Sequence, residues 1–443
     1  MKSKTVFIFV SLILIVYAGP STAAEMLPFQ RADRILILAA HPDDETIGAA
    51  GVIQKALKAG AKVKVALYTN GDNNEPAFII YEKRLTFRKG EFIHMGEVRR
   101  LETVSAMNYL GLNRKDLIFL GYPDFGTMAI FTRYWGAVKS YKSFFTRASK
   151  VPYPECLSPG APYAGESILK DIEKVILDFK PTKIFVSNPA DKNGDHRSLY
   201  LFLRVALWDL DGSIARPELY PFVIHVQGWP KPRGYHPEFA LDPPQQLTGI
   251  PWLNLSLTQE EIAKKRTTIS RYESQVEYDP PYLFTFARRN ELFGDYPAII
   301  LKKEPKGGDT KWSGIDLPGG ISYAYVDSEF HIKFDLKGRL EKDIGISIFL
   351  FGYNKNREFS KMPKIRISIG AFGISFKDKF KRITIKDAQM MYEGHAVIIK
   401  IPLEALGDPE HILASVQASG LSLDQTAWRI IELSSKQQIA SKR

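Results

Sequence analysis

One stretch near the amino terminus restricts the fold more than any other. It covers residues 35–51 and reads ILILAAHPDDETIGAAG. Its apolar start, Ile35–Ala40, predicts a buried strand, and the small residues after Glu45 predict a helix. The strand therefore ends in a histidine and three carboxylates. Because open α/β sheets present their chemistry at the carboxyl ends of their strands, this stretch predicts such a sheet with a polar site at its edge.

Strand-like and helix-like segments alternate from Arg34 to about residue 225. This alternation predicts an α/β fold, a Rossmann-like, mostly parallel sheet with helices on both faces. The predicted strands are Ile35–Ala39, Val63–Thr69, Leu117–Leu120, Lys183–Ser187 and Tyr220–Val226. The predicted helices are Glu45–Ala59, Val98–Leu110, Ser167–Phe179, Arg197–Leu207 and Ile262–Tyr272.

Two segments interrupt the alternation, Thr127–Pro162 and Gly228–Pro251. Loops of this length in a compact domain are usually functional lids or disordered segments. For the aromatic stretch Phe131–Phe145, packing in a core or a lid is favoured over a platform for a sugar.

The composition changes at residues 302–314, which read KKEPKGGDTKWSG and are typical of a linker. Short alternating segments follow and predict an antiparallel β-sandwich. The sequence thus predicts four parts: a signal peptide at 1–24, an α/β domain at 25–300, a linker at 301–314 and a β-sandwich at 315–443.

The first residues have the pattern of a secretory signal peptide. Lys2 and Lys4 precede the apolar run Val6–Ala18, and small residues follow it. An uncleaved membrane anchor is the alternative, but the run is short for a span, which needs ~20 residues. Export to the periplasm or the extracellular space is therefore expected. Cleavage after residue 24 removes both lysines and lowers the net charge from +11 to +9.

The remaining basic charge suits an acidic glycan, an anionic membrane surface or a nucleic acid. Its lysines and arginines are scattered and no nucleic-acid-binding motif is present, so nucleic acid is not expected as a partner. Membrane contact is expected only through an uncleaved signal peptide or at an anionic surface. Cys156 is the single cysteine, so that a metal would be held by histidine and carboxylates. No pattern indicates the oligomeric state.

Three residues form a candidate zinc site. Catalytic zinc takes three protein ligands and keeps one position for water. His41 and Asp44 lie at one predicted strand end, and His196 follows the predicted strand Lys183–Ser187. Asp43 is close to them and is free to take a proton from water. Because a bound metal lowers the pKa of water and polarises a carbonyl, hydrolysis of an amide is the expected reaction.

The same motifs resemble a known family. The AHPDDE run, the pattern of Arg99, Glu102, Leu110 and Gly111, and the late Asp195-His196 pair look like the PIG-L/LmbE-like zinc-dependent N-acetylglucosaminyl deacetylases. The resemblance extends from about Arg34 to Gln275. It implies a Rossmann-like fold, one zinc ion per chain and removal of acetyl groups from N-acetylglucosamine-type sugars or glycans.

The resemblance also implies roles for individual residues. The zinc ligands would be His41, Asp44 and His196, with Asp43 as general base. Asp195 would orient an imidazole, and the substrate contacts would be Arg99 and Asp124. The chain departs from the family at Asn193, where a histidine that protonates the amine or steadies the oxyanion is usual. We expect His225 to supply that role.

Simpler structural roles are the alternatives. The carboxylates after Ile35–Ala40 could cap a helix, although two aspartates, a glutamate and a histidine together are unusual for a cap. Arg99 and Glu102 have the spacing of an exposed ion pair on a helix. Asp124 has the sequence context of a turn, and His225 that of a hydrogen-bonded residue at a strand end.

Two other functions remain open at this stage. One is a hydrolase of a different amide, such as an acyl conjugate. The other is a non-catalytic glycan-binding surface protein, which the absence of a histidine at position 193 favours and the presence of Asp43 disfavours. The β-rich region after about Gly314 resembles carbohydrate-binding, DOMON-like sandwiches, which implies a role in targeting or glycan binding.

Overall fold

The computed structural model describes residues 23–83, 89–307, 310–314, 320–335, 345–370, 373–394, 396–418 and 427–434. Residues 1–22 of the predicted signal peptide and residues 308–309 of the predicted linker lie outside these ranges. In the described segments, no helix has the length and apolar character needed to cross a membrane.

The described residues between 23 and 298 form the α/β unit. Its strands are β1 Ala24–Glu25, β2 Arg34–Ala39, β3 Lys62–Thr69, β4 Leu117–Tyr122, β5 Lys183–Ser187, β6 Glu218–Phe222, β7 Leu253–Ser256 and β8 Asn290–Phe293. Its helices are α1 Asp44–Lys58, α2 Glu75–Glu82, α3 Lys89–Leu110, α4 Thr127–Arg133, α5 Gly165–Phe179, α6 Gly194–Asp209, α7 Gln259–Ile269, α8 Glu273–Val276 and α9 Pro280–Phe284.

Five parallel strands form the central sheet, in the order β4-β3-β2-β5-β6. Strand β2 lies in the middle, and its apolar side chains are buried on both faces, as is typical of a parallel sheet covered by helices. The chain runs from β2 to β3 and β4 on one side and to β5 and β6 on the other. A crevice therefore opens at the carboxyl ends of β2 and β5, where such sheets bind their ligands. The predicted α/β class is confirmed.

Strand β6 differs from its prediction, which was Tyr220–Val226. Among the described residues it pairs with β5 alone, and because β5 ends at Ser187 opposite Phe222, the residues after Phe222 have no partner strand there. The backbone N–H groups of Ile224 and His225 instead donate to the Oδ2 atom of Asp191, at 3.0 and 2.9 Å. His225 consequently lies beyond the strand, over the loop that follows β5.

Helix α1 is interrupted shortly after the metal-site residues. Ala49 has φ −147° and ψ 18°, which breaks the helical hydrogen bonding. Two buried side chains replace the lost bonds: Glu291 accepts from the two N–H groups after the break, and Lys265 donates to the Ile47 carbonyl at 2.8 Å. Lys265 also contacts Glu291 at 2.6 Å. A residue from β8 and one from α7 thus hold α1 in place on the two sides of the break.

The C-terminal region is β-rich, as predicted. Its strands are β9 Ile299–Glu304, β10 Ser313–Gly314, β11 Ile321–Val326, β12 Glu329–Asp335, β13 Ile346–Tyr353, β14 Lys364–Gly370, β15 Gly373–Asp378, β16 Lys381–Ile383, β17 Gln389–Glu393, β18 Ala396–Pro402, β19 His411–Ala418 and β20 Arg429–Ser434. They form one curled sheet around an apolar core of their own. Residues 301–304 of the predicted linker belong to β9, while the predicted domain boundaries stay predictions.

The two regions share a second apolar core. The Trp428 ring packs against Phe131 of α4, with ring centroids 6.3 Å apart, and against Phe351 of β13 at 5.3 Å. Trp135, just after α4, lies 4.9 Å from Phe359. The prediction that the aromatic residues after position 130 serve packing agrees with these contacts at Phe131 and Trp135.

Removal of the Trp428 ring tests this shared core. Trp428 is 2% exposed, so Trp428→Ala leaves a large cavity between the two regions and should lower the free energy of unfolding by about 3–5 kcal/mol. Denaturant unfolding of both proteins measures the difference. Tyr392→Ala is the matched control, because that ring is 63% exposed and its loss should cost less than about 0.5 kcal/mol. Equal effects of the two substitutions would contradict the shared core.

Candidate metal centre and active site

Three side-chain atoms from two strand ends converge at the crevice. The His41 Nδ1 atom lies 3.2 Å from the Asp44 Oδ2 atom, and the His196 Nε2 atom lies 3.2 Å from His41 Nδ1 and 3.0 Å from Asp44 Oδ2. His41 and Asp44 come from the turn between β2 and α1, and His196 from the first turn of α6. All three residues are buried. The sequence-based expectation that these residues come together agrees with this geometry.

The triangle has the dimensions of a tetrahedral metal site. Zinc binds imidazole nitrogen and carboxylate oxygen at about 2.0–2.2 Å, so two of its ligands lie about 3.3 Å apart. Two imidazole nitrogens and one carboxylate oxygen within this distance of one another also match the ligand types of catalytic zinc. The residues present therefore fit a divalent metal, with a fourth position open.

Carboxylates outside the triangle orient both imidazole rings. The His41 Nε2 atom lies 3.1 Å from Asp124 Oδ1 and 3.4 Å from Asp195 Oδ2, and the His196 Nδ1 atom lies 3.3 Å from Asp191 Oδ2. Because these carboxylates attract the N–H of each ring, the opposite nitrogens are left to face the centre. Such partners are typical of metal-ligating histidines and raise their basicity.

The same carboxylates favour protonation of the metal-free histidines. Burial opposes protonation of His196, but Asp191 and Asp44 outweigh it and raise its pKa to about 10. Burial likewise opposes protonation of His41, and the charge of Asp124 outweighs it, so that its pKa is well above the ordinary value. A positive charge at the centre is therefore strongly favoured.

Asp43 lies beside the triangle in an unusual backbone conformation. Its φ of 107° lies in the region that residues with a side chain rarely adopt. The Asp43 carbonyl accepts from the N–H groups of Thr46 and Ile47, both at 2.9 Å, which holds this conformation. Burial raises the pKa of Asp43 to about 7, and Arg99 opposes the rise. A carboxylate with a pKa near neutrality suits a group that exchanges protons.

Arg99 is fixed against Asp43. It is 3% exposed, its Nη2 atom lies 3.2 Å from Asp43 Oδ2, and it also donates to the carbonyls of Pro42 at 2.7 Å and Gly71 at 3.0 Å. The spacing of Arg99 and Glu102 allowed an exposed ion pair between them, and that interpretation is wrong. Glu102 instead accepts from the N–H and hydroxyl of Ser274, both at 2.7 Å.

Asp195 connects His41 to the start of α4. Its carboxylate accepts from the Phe125 N–H at 2.6 Å and the Thr127 N–H at 3.2 Å, as well as from the Thr127 hydroxyl. Asp124 is also engaged, since Asn73 N–H donates to its Oδ2 atom at 3.2 Å. Asp195 is thus placed to orient the His41 ring, whereas the substrate contacts expected of Asp124 and Arg99 stay predictions.

His225 lies next to His196, with ring centroids 4.7 Å apart. Its Nδ1 atom is 3.1 Å from Asp191 Oδ1, and about a third of its side chain is exposed. Asn193, at the position where the family usually has a histidine, caps α6 by accepting from the Asp195 N–H at 2.8 Å. The structure therefore places the His225 ring against His196 and Asp191, while its role in place of a histidine at position 193 stays a prediction.

Sequence reasoning assigned no role to three buried carboxyl residues of this centre. Asp191 binds both His196 and His225, and Asp72 accepts from the Tyr153 hydroxyl at 2.6 Å. Glu45 accepts a hydrogen bond from the Tyr272 hydroxyl. All three had a recognisable signal, since each follows the end of a predicted strand.

Comparisons with known proteins found a family model and solved structures to which this chain is similar. Residues 36–207 match the family model described as PIG-L: GlcNAc-PI de-N-acetylase. N,N'-diacetylchitobiose deacetylase from Pyrococcus horikoshii is 18% identical, with a TM-score of 0.36 over 59% of this chain and 83% of that chain. The A40926 pseudoaglycone deacetylase Dbv21 is 18% identical, with a TM-score of 0.37 over 59% and 96%. The 4-carboxy-2-hydroxymuconate hydratase GalB from Pseudomonas putida KT2440 is 16% identical, with a TM-score of 0.34 over 60% and 97%.

The fold and the three converging side chains define an α/β domain with a candidate metal site in the crevice at the carboxyl ends of β2 and β5. More specifically, residues 36–207 form a PIG-L family domain, as the motifs predicted. The family match supports a hydrolase that acts on amide bonds. The resemblance of the C-terminal region to carbohydrate-binding sandwiches stays a prediction.

Metal binding should displace protons from the histidines. Because the pKa of His196 is about 10 without metal, zinc added at pH 7 should release about one proton or more, and its apparent affinity should fall as the pH is lowered. Calorimetric titration in buffers with different ionisation enthalpies measures the released protons. Heats that do not depend on the buffer would contradict this protonation state.

His196→Ala tests the ligand assignment. It should weaken zinc binding by more than about a hundredfold, whereas His236→Ala, which changes a histidine outside the centre, should leave the affinity unchanged.

Proposed function

We propose that the chain is an exported, zinc-dependent deacetylase that removes N-acetyl groups from N-acetylglucosamine-type sugars or glycans. The convergence of His41 Nδ1, Asp44 Oδ2 and His196 Nε2 beside the buried Asp43 is the observation that carries this proposal. A metal site that serves only structure has no need of a proton acceptor at its edge. The PIG-L family match supports the same reaction class.

In the proposed reaction, Asp43 accepts a proton from the water molecule that attacks the acetyl carbonyl. Its pKa of about 7 lets it be ionised in a large part of the molecules at neutral pH and still hold the proton afterwards. Arg99 keeps the carboxylate in place through the 3.2 Å contact. A zinc ion held by the triangle would lower the pKa of that water and polarise the carbonyl.

His225 is the proposed proton donor to the departing amine. Its Nδ1 atom faces Asp191 at 3.1 Å, so Nε2 is the atom that holds or gives a proton toward a substrate. The partial exposure of the His225 side chain suits contact with a substrate. Asp191 is buried, and His196 and His225 hold its pKa well below the ordinary value against the effect of burial, so an ionised carboxylate fixes the orientation of the His225 ring.

Acetate release from a panel of N-acetylglucosamine oligosaccharides and other acylated amines tests the proposal. The protein would be assayed as isolated, after chelation and after zinc is returned. Acetate that disappears with the chelator and returns with zinc would support the proposal. Release from acyl amines alone would favour a different amidase. Export is tested separately, by determining the amino terminus of the chain recovered from the producing cells.

Asp43→Asn should reduce kcat about a thousandfold, because an amide cannot accept the proton. The variant should bind zinc with unchanged stoichiometry, which elemental analysis measures, since Asp43 is not a member of the triangle. Full activity with zinc retained would refute the base assignment.

His225→Gln should lower kcat about a hundredfold, because glutamine keeps hydrogen-bonding ability but cannot give up a proton at neutral pH. His236→Gln is the matched control and should show the activity of the unchanged protein. If both variants are fully active, the donor is another group.

A further inference from the structure

One part of the catalytic region is strongly basic and aromatic. Residues 125–154 contain five lysines and arginines and no aspartate or glutamate, although the chain as a whole has 49 acidic residues among 443. The segment begins directly after Asp124, a residue of the metal centre. The segment therefore carries a net positive charge next to the site because it lacks acidic residues, while lysine and arginine are scattered over the whole chain.

Two aromatic residues of this segment, Phe125 and Tyr141, lie near Asp195 at the edge of the metal centre. Phe125, whose N–H donates to Asp195, has a side chain that is 63% exposed. The Tyr141 ring packs on Gly126, where an added Cβ would lie 2.5 Å from its Cε1 atom. Burial and the charge of Asp195 raise the pKa of the Tyr141 hydroxyl.

The C-terminal sheet extends the same surface. Phe380 occupies the turn between β15 and β16, is 40% exposed and lies 4.8 Å from Tyr134, which in turn lies 5.5 Å from Tyr141. The Lys139 Nζ atom lies 3.7 Å from the centre of the Phe380 ring. Arg133 lies over the same ring at 5.9 Å. Both regions of the chain thus contribute to one surface beside the crevice.

The cations of this surface are held by rings and remain open to a ligand. Arg133 and Lys139 are exposed, and across the described ranges no carboxylate forms an ion pair with either of them. An aromatic ring orients a cation without neutralising its charge. A ligand with negatively charged groups and flat apolar faces would pair with these cations and pack against the exposed rings.

We propose that this surface, formed by Phe125, Arg133, Tyr134, Lys139, Tyr141 and Phe380 and called here the basic aromatic surface, binds an anionic glycan chain whose N-acetylated sugar enters the metal centre. The proposal rests on the proposed deacetylase function and specifies its substrate class. Sugar rings offer apolar faces to Tyr134 and Phe380, and their carboxylate or phosphate groups pair with the two cations. Charge complementarity favours an acidic glycan over a neutral one.

Binding without turnover tests the proposal independently of catalysis. The protein carrying Asp43→Asn would be titrated with a hexasaccharide of alternating N-acetylglucosamine and glucuronate, and with the neutral N-acetylglucosamine hexamer. We expect tighter binding of the anionic hexasaccharide, weakening as salt is added. Adding R133Q and K139Q should weaken that binding about tenfold and leave the neutral hexamer unaffected. F380A should weaken binding of both about threefold.

The matched control is K58Q with K62Q, which removes two exposed lysines, one at the end of α1 and one at the start of β3, away from the carboxyl ends of the strands. It lowers the net charge equally and should not change either affinity. Equal weakening by the two double variants, or no preference for the anionic hexasaccharide, would overturn the proposal. Vesicle binding gives another outcome that would overturn the proposal. In it, the protein binds phosphatidylglycerol vesicles, and R133Q with K139Q abolishes that binding but leaves the glycan affinity unchanged. Absence of acetate release by the unsubstituted protein, with the expected binding pattern, would refute only the deacetylase function.

Discussion

The burial of many carboxyl groups around two histidines is the constraint on which the crevice depends. Like charges so close together in a low-dielectric interior cannot all be ionised without compensation. The positive charges of Arg99 and of the imidazole rings of His41 and His196 offset part of this negative charge. Other carboxyl groups stay largely neutral, because burial raises the pKa of Glu45 to about 8 and that of Asp72 to about 7. The buried groups are Asp43, Asp44, Glu45, Asp72, Asp124, Asp191 and Asp195. Such a centre is electrostatically suited to a dication.

The sequence was informative where local pattern determines position. The apolar strands β2 and β5 and the polar residues after them predicted that His41, Asp44 and His196 would meet, because parallel strands release their carboxyl ends at one edge. The bounds of β6 were not predictable in this way. They depend on where β5 ends. Beyond that point, the backbone N–H of His225 donates to Asp191 in the loop between β5 and α6. The role of Asn193 as a helix cap was equally invisible until α6 was known to begin beside it.

The packing of the C-terminal region against the α/β unit could also not be predicted from local sequence pattern. A glycine- and lysine-rich stretch predicted a linker at 301–314, and composition alone gave no reason to expect that β9 begins at Ile299. Trp428 contacts Phe131 across some three hundred residues, a separation at which no periodicity connects them. The C-terminal region is thus packed onto the helix that follows the metal centre, and its hairpin between β15 and β16 reaches the same side of the molecule.

The position of β9 affects the order in which the chain can fold. In the C-terminal sheet, β9 is the first strand in sequence, yet its neighbours are β11 and β20, and both pairs are parallel. Ribosomal synthesis delivers β20 more than a hundred residues later, so β9 lacks one of its two partners until residues 429–434 have been made. Trp428 directly precedes them, so the aromatic cover of α4, which Phe351 and Phe359 begin, is complete only then. The α/β unit therefore reaches its final packing after synthesis of the C-terminal strands, and translation that stops before Trp428 would yield a chain with an exposed aromatic face prone to aggregation.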